Sequence, residues 1–433
     1  MQRCEQLAAF SDDAEVLFRP FLSPATKHVH KALREYMHAA GMSVRCDALG
    51  NVIGRRISTH PNAKTLLIGS HIDTVVNAGK YDGILGVLTG IAVVEALQSE
   101  DLPFHLDVVA LSEEEGVRFG VPFLGSLALS GQFEADLLTC TDTEGVSVEQ
   151  ALTDFARDAG RDVNCEAGRD ADCDVGRDAG RDVTAINQAA YRDALAYVEV
   201  HIEQGPYLET INQPLGIVTD VAGQSRATLT FRGQAGHAGT VPMHLRKDAL
   251  AAAAEVVLEI ERLAHSQDDL VATVGRIQAE PGAINVIAGA VHLTLDVRHP
   301  QDDTRLAAIK HLQNHAQQVC HQRQVHFEWH DLSEQVATPL EPTLIASLSQ
   351  LLPNAPSMIS GAGHDAMVIA KTIPSALLFV RSPGGISHHP DETVLEPDVA
   401  AAVDAVRRLV LHLAEIHKKE QNAHKANSSQ IPL

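Results

Sequence analysis

Several runs of apolar, β-type residues in this chain end in a histidine or a carboxylate. That recurrence constrains the fold more than any other feature. Thr65–Ser70 (TLLIGS) leads into His71 and Asp73, and Leu106–Leu111 (LDVVAL) leads into SEEEG. Tyr197–His201 (YVEVH) ends on His201 itself, and Ser375–Arg381 (SALLFVR) leads into GGISHHPDE. Continuous rather than alternating apolar runs suit strands covered on both faces. A helix-like stretch, Gly86–Leu97, separates the first two runs, and another, Val399–His417, follows the last. This interleaving predicts an α/β fold, a mixed sheet with helices on both faces. In open α/β sheets ligands bind beyond the carboxyl ends of the strands, where all four polar segments fall.

The texture changes from about Leu215. Ala227–Arg232 and Val291–Arg298 alternate apolar with polar residues, as half-exposed strands do, and Gln324–Trp329 reads as a further strand. Lys247–Leu263 is an amphipathic helix and Thr304–Gln318 a second. The β-α-β-β-α-β order predicts an inserted α+β domain, a four-stranded sheet backed by two helices. The expected division is a catalytic domain in two parts, 1–213 and 331–433, around an inserted lid or dimerisation domain at 214–330. One segment is repetitive, with RDAGRDV at Arg157–Val163 and again at Arg177–Val183. Asp-rich glycine loops can hold calcium, but here Gly160, Gly168, Gly176 and Gly180 each precede an Arg-Asp pair whose Arg offsets the charge, and 157–183 reads as a solvated insertion. The polar tail after Lys418 is expected to fray.

Composition narrows the function classes. The chain carries 34 Lys and Arg against 56 Asp and Glu, a formal net charge of −22. Nucleic-acid binding and docking on anionic lipid both need the opposite sign. An anionic small substrate is still allowed, because a local field can oppose the net charge. The six cysteines are scattered without a CxxC pair, which argues against a disulfide scaffold and a thiolate zinc site. No apolar run approaches a membrane span, and Met1–Leu22 lacks a secretory pattern, so a cytoplasmic protein is expected.

The polar segments carry metal-type chemistry. In an extended His-x-Asp the first and third side chains point the same way. His71 can therefore face a metal while Asp73 holds its other ring nitrogen. Asp82, in a Gly-flanked turn before a helix, is placed to bridge two ions. Three adjacent glutamates at the end of a buried strand need cations, and one can bind metal while a neighbour serves as base. His201 is followed by Glu203 and Gln204, and His388 and His389 adjoin a Gly-rich turn. Nitrogen and carboxylate donors without thiolate suit zinc, manganese or cobalt. In the inserted domain His237 lies between glycines, and Asn285 and Arg298 stand 13 residues apart. An Arg fork suits a substrate carboxylate. His364 and Asp365, at an expected helix start, either support a metal site or cap the helix.

GSHIDTVVNAGKYDG, EEEGVRFG, HIEQGPYLE, GHAGTVPM, SGAGHDA and GGISHHPDE, in that order, resemble the motif series of one family. It comprises allantoate amidohydrolases, N-carbamoyl-L-amino-acid amidohydrolases and yeast-type β-ureidopropionases, within the aminoacylase-like superfamily of dinuclear metallohydrolases. The likeness runs from about residue 45 to residue 396. It implies two divalent ions, zinc or manganese with cobalt as an option, held by His71, Asp82, Glu115, His201 and His388, with Asp82 as the bridge. It implies Glu114 as general base and Asp73 as the residue orienting His71, while His389 falls at a variable position. Gln204, His237, Asn285 and Arg298 match substrate-binding residues. His237 would also stabilise the tetrahedral intermediate, from its own chain or from the other subunit of a homodimer. The implied activity is hydrolysis of the ureido C–N bond of a small anionic ureido acid. Allantoate is the first choice, then N-carbamoyl-L-amino acids, then N-carbamoyl-β-alanine. A dipeptidase or aminoacylase and a non-catalytic metal-binding sensor are the rival readings. His201 weighs against the first rival, because many peptidases of the superfamily have a carboxylate there. Glu114 beside a full ligand set weighs against the second.

Overall fold

The computed structural model describes residues 1–159, 183–188 and 190–428. The RDAGRDV repeat lies almost wholly outside the described residues. Among the described residues the chain forms two compact units. One comprises Met1–Thr219, Leu340–Met358 and His364–Leu433, and the other Asp220–Pro339 and Ile359–Gly363.

The first unit is built on a mixed sheet. Seven of its nine described strands lie in the order Ser43–Cys46, Val52–Arg56, His105–Leu111, Thr65–His71, Ala194–Ile202, Ser375–Val380, Leu215–Val221. The four strands that carry the apolar runs pair in parallel, and the flanking pairs are antiparallel. Every residue of Thr65–His71 is buried. Leu66 and Ile68 pack into one core with Val87, Val108 and Val198, while Leu67 packs into a second with Val109, Tyr197 and Ile369. Both faces are covered, so both must be apolar, and the run cannot alternate.

Helix Ile84–Ala96 is buried over almost its whole circumference, between the sheet and the C-terminal helix Glu396–Ser428. A Cβ on Gly86 would stand 2.1 Å from the Val200 carbonyl oxygen. Only glycine lets the start of this helix come so close to the strand that carries His201. The C-terminal helix continues past Lys418, where fraying was expected. Residues 418–428 contain neither Pro nor Gly and are rich in good helix formers. Among the described residues no helix is long and apolar enough to cross a membrane.

The second unit has an antiparallel sheet in the order His326–Gln335, Gly223–Arg232, Ala290–His299, Val271–Glu280. Helices Ala249–His265 and Asp302–Arg323 pack on it and on each other. Ala290–His299 alternates strictly between half-buried and buried residues. Its inward Val291, Leu293, Leu295 and Val297 meet Val256, Ile260, Leu312 and Val319 of the helices. Asp248 caps the first helix by accepting from Leu250 and Ala251 N–H at 3.0 and 3.1 Å.

Candidate metal centre

The parallel strands deliver the predicted donors to one place. His71 is the last residue of its strand, and the Asp73 carboxylate lies 3.3 Å from His71 Nδ1. The same nitrogen lies 3.1 Å from the Asp73 carbonyl oxygen. Asp73 also reaches the loop after the neighbouring strand. Its two carboxylate oxygens accept from Glu114 N–H at 3.0 Å and Glu115 N–H at 3.1 Å. One side chain thus sets the His71 ring and the backbone of both glutamates. In the three-glutamate run Glu113 is used up by its own loop, accepting from Gly116 N–H at 2.5 Å and Leu124 N–H at 3.2 Å. Glu114 and Glu115 are left to face His71, with ligand atoms of the three within 4.8 Å of one another.

Asp82 stands among three imidazoles. Its Oδ1 lies 3.0 Å from His201 Nε2 and 3.6 Å from His71 Nε2, and its Oδ2 lies 3.3 Å from His388 Nε2. His388 Nε2 is also 3.6 Å from Glu115 Oε1. Three triads have donor atoms converging within 4.8 Å: His71–Asp82–His201, His71–Glu114–Glu115 and Asp82–Glu115–His388. Gly83, at φ +66, lies against the His71 ring, and a Cβ there would stand 2.5 Å from His71 Nε2.

This donor set fits a divalent cation. His201 Nδ1 is 2.9 Å from the Ile202 carbonyl oxygen, and His71 Nδ1 faces Asp73. A carbonyl or carboxylate partner requires an N–H, so both Nδ1 atoms carry the proton and both Nε2 atoms are the free ligands. The two Nε2 atoms face each other at 3.4 Å across Asp82, and buried Asp82 Oδ1 accepts no hydrogen bond. Two lone pairs and a carboxylate oxygen pointed together repel unless a cation lies among them. When that cation is a proton, the ionisations shift accordingly. Burial works against charge on His71, but Asp73 and Asp82 outweigh it and hold its pKa well above the usual histidine range. Burial likewise opposes ionised Asp82, but His201, His388 and His71 hold it well below the carboxylate range. Burial pushes the Glu114 carboxyl well up. Burial, reinforced by Asp82, pushes Glu115 up to about 7.

The remaining expected residues divide between the units. In the first unit Gln204, at φ +59, donates through Nε2 to Asp82 Oδ2 and to Ser387 Oγ, each at 3.2 Å. Glu203 instead accepts from Tyr207 and Leu208 N–H at 2.6 and 3.0 Å, anchoring a short helix. His389 is exposed and its Nδ1 lies 3.6 Å from Asp391. The His364 ring packs edge-on to the His201 ring at 4.5 Å between centroids, and its side chain makes no cap hydrogen bond to the helix that begins at Asp365. Asp365 accepts from Ser126 Oγ at 2.5 Å.

In the second unit His237 pairs with Val286 in a two-residue ladder, and Ala238 N–H donates to the Asn285 carbonyl at 2.9 Å. His237 and Asn285 are therefore neighbours, both exposed. Arg298 presents its fork to Asp296, Nε to Oδ1 at 2.8 Å and Nη2 to Oδ2 at 3.0 Å, and donates through Nη1 to the Gly361 carbonyl at 2.6 Å. Of the five guanidinium N–H groups these bonds take three, and 5 − 3 = 2 remain for another acceptor.

Sequence reasoning missed Arg19. Its guanidinium is 1% exposed and donates to the carbonyls of Ile72 at 2.8 Å and of Leu7 and Phe10 at 3.1 Å. It clamps the residue between His71 and Asp73. The available signal was a lone Arg inside the apolar stretch VLFRPFL.

The first unit thus has a mixed α/β sheet with nitrogen and oxygen donors at its strand ends, and the second an antiparallel sheet with two helices. The chain belongs to peptidase family M20/M25/M40, whose model matches residues 67–412. Within the family its relatives are amidohydrolases acting on C–N bonds. The chain is 38% identical to an allantoate deiminase from Arabidopsis thaliana, over 92% of this chain and 79% of that one. It is 38% identical to an N-carbamoyl-L-amino-acid amidohydrolase from Pseudomonas sp. (strain NS671), over 86% and 87%. Among solved structures, an amidase of the hydantoinase/carbamoylase family from Burkholderia multivorans superposes with a TM-score of 0.85. That match has 27% identity and covers 95% of this chain and 96% of that one.

Proposed function

We propose that this protein is a metal-dependent amidohydrolase that cleaves the ureido C–N bond of a small ureido acid, with allantoate as its substrate. The observation that carries the reading is the convergence of His71, Asp82, Glu115, His201 and His388, with Glu114 beside them. His71, Asp82 and His201 would hold one divalent ion, and Asp82, Glu115 and His388 a second, of zinc, manganese or cobalt. When bound, such ions polarise a carbonyl and make a water acidic near neutral pH.

The chain's own residues do the rest. Glu114, buried and poorly solvated, takes the proton of the attacking water and later gives it to the leaving nitrogen. The released carbamate decomposes to ammonia and carbon dioxide. Asp73 keeps His71 in the tautomer that offers Nε2, and Gln204 restrains Asp82. From the second unit, His237 stabilises the oxyanion, Asn285 binds substrate, and Arg298 binds the substrate carboxylate through its two unused N–H groups. A homodimer formed through that unit is part of the proposal.

Allantoate is favoured by the long, well-covered matches to allantoate deiminases. The equally identical carbamoylase relative supports N-carbamoyl-L-amino acids as the second reading. A substrate panel tests the choice. Metal-reconstituted protein is assayed for ammonia release from allantoate, several N-carbamoyl-L-amino acids and N-carbamoyl-β-alanine. The highest kcat/KM on allantoate is expected. Preference for an N-carbamoyl amino acid replaces the substrate assignment, and ammonia from none overturns the function.

A further inference from the structure

Glu392 closes the GGISHHPDE segment, yet nothing in the chemistry above uses it. It is 3% exposed although both its neighbours, Asp391 and Thr393, are exposed. A carboxylate drawn inward from an exposed loop needs partners. Its Oε1 accepts from two successive backbone groups, Tyr81 N–H at 2.9 Å and Asp82 N–H at 3.1 Å. Its Oε2 accepts from Ser387 Oγ at 3.3 Å. Tyr81 and Asp82 belong to the turn before helix Ile84–Ala96, and Ser387 directly precedes His388. The two loops are more than 300 residues apart in sequence, and Glu392 ties them through their backbone and Ser387, beside the Gln204 bridge between Asp82 and Ser387. The fit is close, because a Cβ on Gly79 would stand 2.2 Å from the Glu392 carboxyl carbon.

We propose that Glu392 is a positioning residue that braces the Asp82 turn against the His388 loop, setting the distance between the carboxylate and imidazole meant to share a metal ion. The proposal rests on the reading of Asp82 and His388 as metal-holding residues. Glu392 acts through hydrogen bonds and is not itself a ligand. His388 makes the brace necessary, since it is 48% exposed, stands in the left-handed region at φ +54 and lacks the packing that fixes His71 and His201. Braces of this kind typically change metal affinity 10–100-fold.

The experiment measures metal uptake rather than turnover. Wild type, Glu392→Ala, Glu392→Gln and Gly79→Ala are dialysed against graded Zn2+, and bound zinc is counted by mass spectrometry. The glutamine of Glu392→Gln keeps an oxygen that can accept both backbone N–H groups, and its amide can donate to Ser387. Gly79→Ala displaces the Glu392 side chain without altering its charge, and it carries the same expectation should the Glu392→Ala chain fail to fold. Two zinc ions per wild-type chain are expected, the weaker needing 10–100-fold more Zn2+ for half-loading in Glu392→Ala and Gly79→Ala. Glu392→Gln should stay within about fivefold of wild type. Wild-type-like loading of Glu392→Ala and Gly79→Ala overturns the brace, and so does a Glu392→Gln loss as large as that of Glu392→Ala. If wild type itself binds no zinc, the metal-dependent function fails and the brace fails with it.

Discussion

Asp73→Asn is the substitution that probes most of the site with the smallest change in shape. The carboxylate accepts from two buried backbone N–H groups and faces His71 Nδ1. An asparagine keeps one oxygen for one N–H and turns an NH2 toward the other, donor against donor. A hydrogen bond to a charged group contributes about 1.5–3 kcal/mol, and a buried donor left unpaired costs about 1–3 kcal/mol. Because Asn can rotate to lessen the conflict, the expected loss of stability is about 2–4 kcal/mol. The His71 tautomer should survive, since the Asp73 carbonyl oxygen also lies 3.1 Å from Nδ1. The damage should therefore reach the metal through the Glu114–Glu115 backbone, weakening affinity about 10–100-fold. Urea unfolding of the metal-free protein reads the first quantity, and competition with a chromogenic zinc chelator reads the second. A variant within about 0.5 kcal/mol of wild type and within threefold in zinc affinity would show that Asp73 does not organise the centre.

Three further outcomes follow from the same geometry. Glu115 and Glu392 have folded-state pKa values raised from 4.5 to about 7, and His71 and His201 are raised as well. These groups bind more protons in the folded metal-free chain than in the unfolded one, so the stability they carry is full below about pH 4.5 and falls as pH rises through 7, while His30 and His364, lowered by burial, oppose part of that fall. Urea midpoints at pH 5, 6, 7 and 8 should fall without metal and rise with added Zn2+, and a metal-free midpoint that rises over this range contradicts the account. Gly83→Ala would force a Cβ against the His71 ring at a positive φ, so zinc uptake should drop at least tenfold by dialysis; unchanged uptake would mean that His71 holds no ion. Arg298→Ala should raise KM for carboxylate-bearing ureido substrates at least tenfold with kcat changed less, in steady-state ammonia assays. An equal KM would remove Arg298 from substrate binding.

Much of this was legible in the sequence because buried parallel strands leave a strong trace. Thr65–His71 and Ser375–Val380 are apolar on both faces, and each ends where a polar motif begins. Elements without a continuous or periodic apolar signature were harder to find. The hairpin Ser43–Cys46 and Val52–Arg56 is short and carries Arg45, Arg55 and Arg56. Val271–Glu280 is an edge strand with most of its residues exposed, so burial imposed little pattern on it. The strand expected at Gln324–Trp329 runs instead over His326–Gln335, because a register shift between Asp331 and Ser333 lets pairing continue through polar residues.

In the site, the residue types marked the donors, but their division of labour depended on backbone contacts. Glu113 differs from Glu114 and Glu115 only in which N–H groups it meets. The Asp296 fork on Arg298, the Arg19 clamp and the Glu392 brace are contacts between residues distant in sequence or without a motif of their own.

The central claim is that a carboxylate at position 114 moves protons at a centre whose metal is held by other residues. Glu114→Gln, assayed on metal-loaded protein for ammonia release from allantoate with bound metal counted in the same samples, tests it most directly. The account predicts turnover reduced at least a thousandfold with metal content equal to wild type. Turnover near wild type, with metal retained, would contradict it.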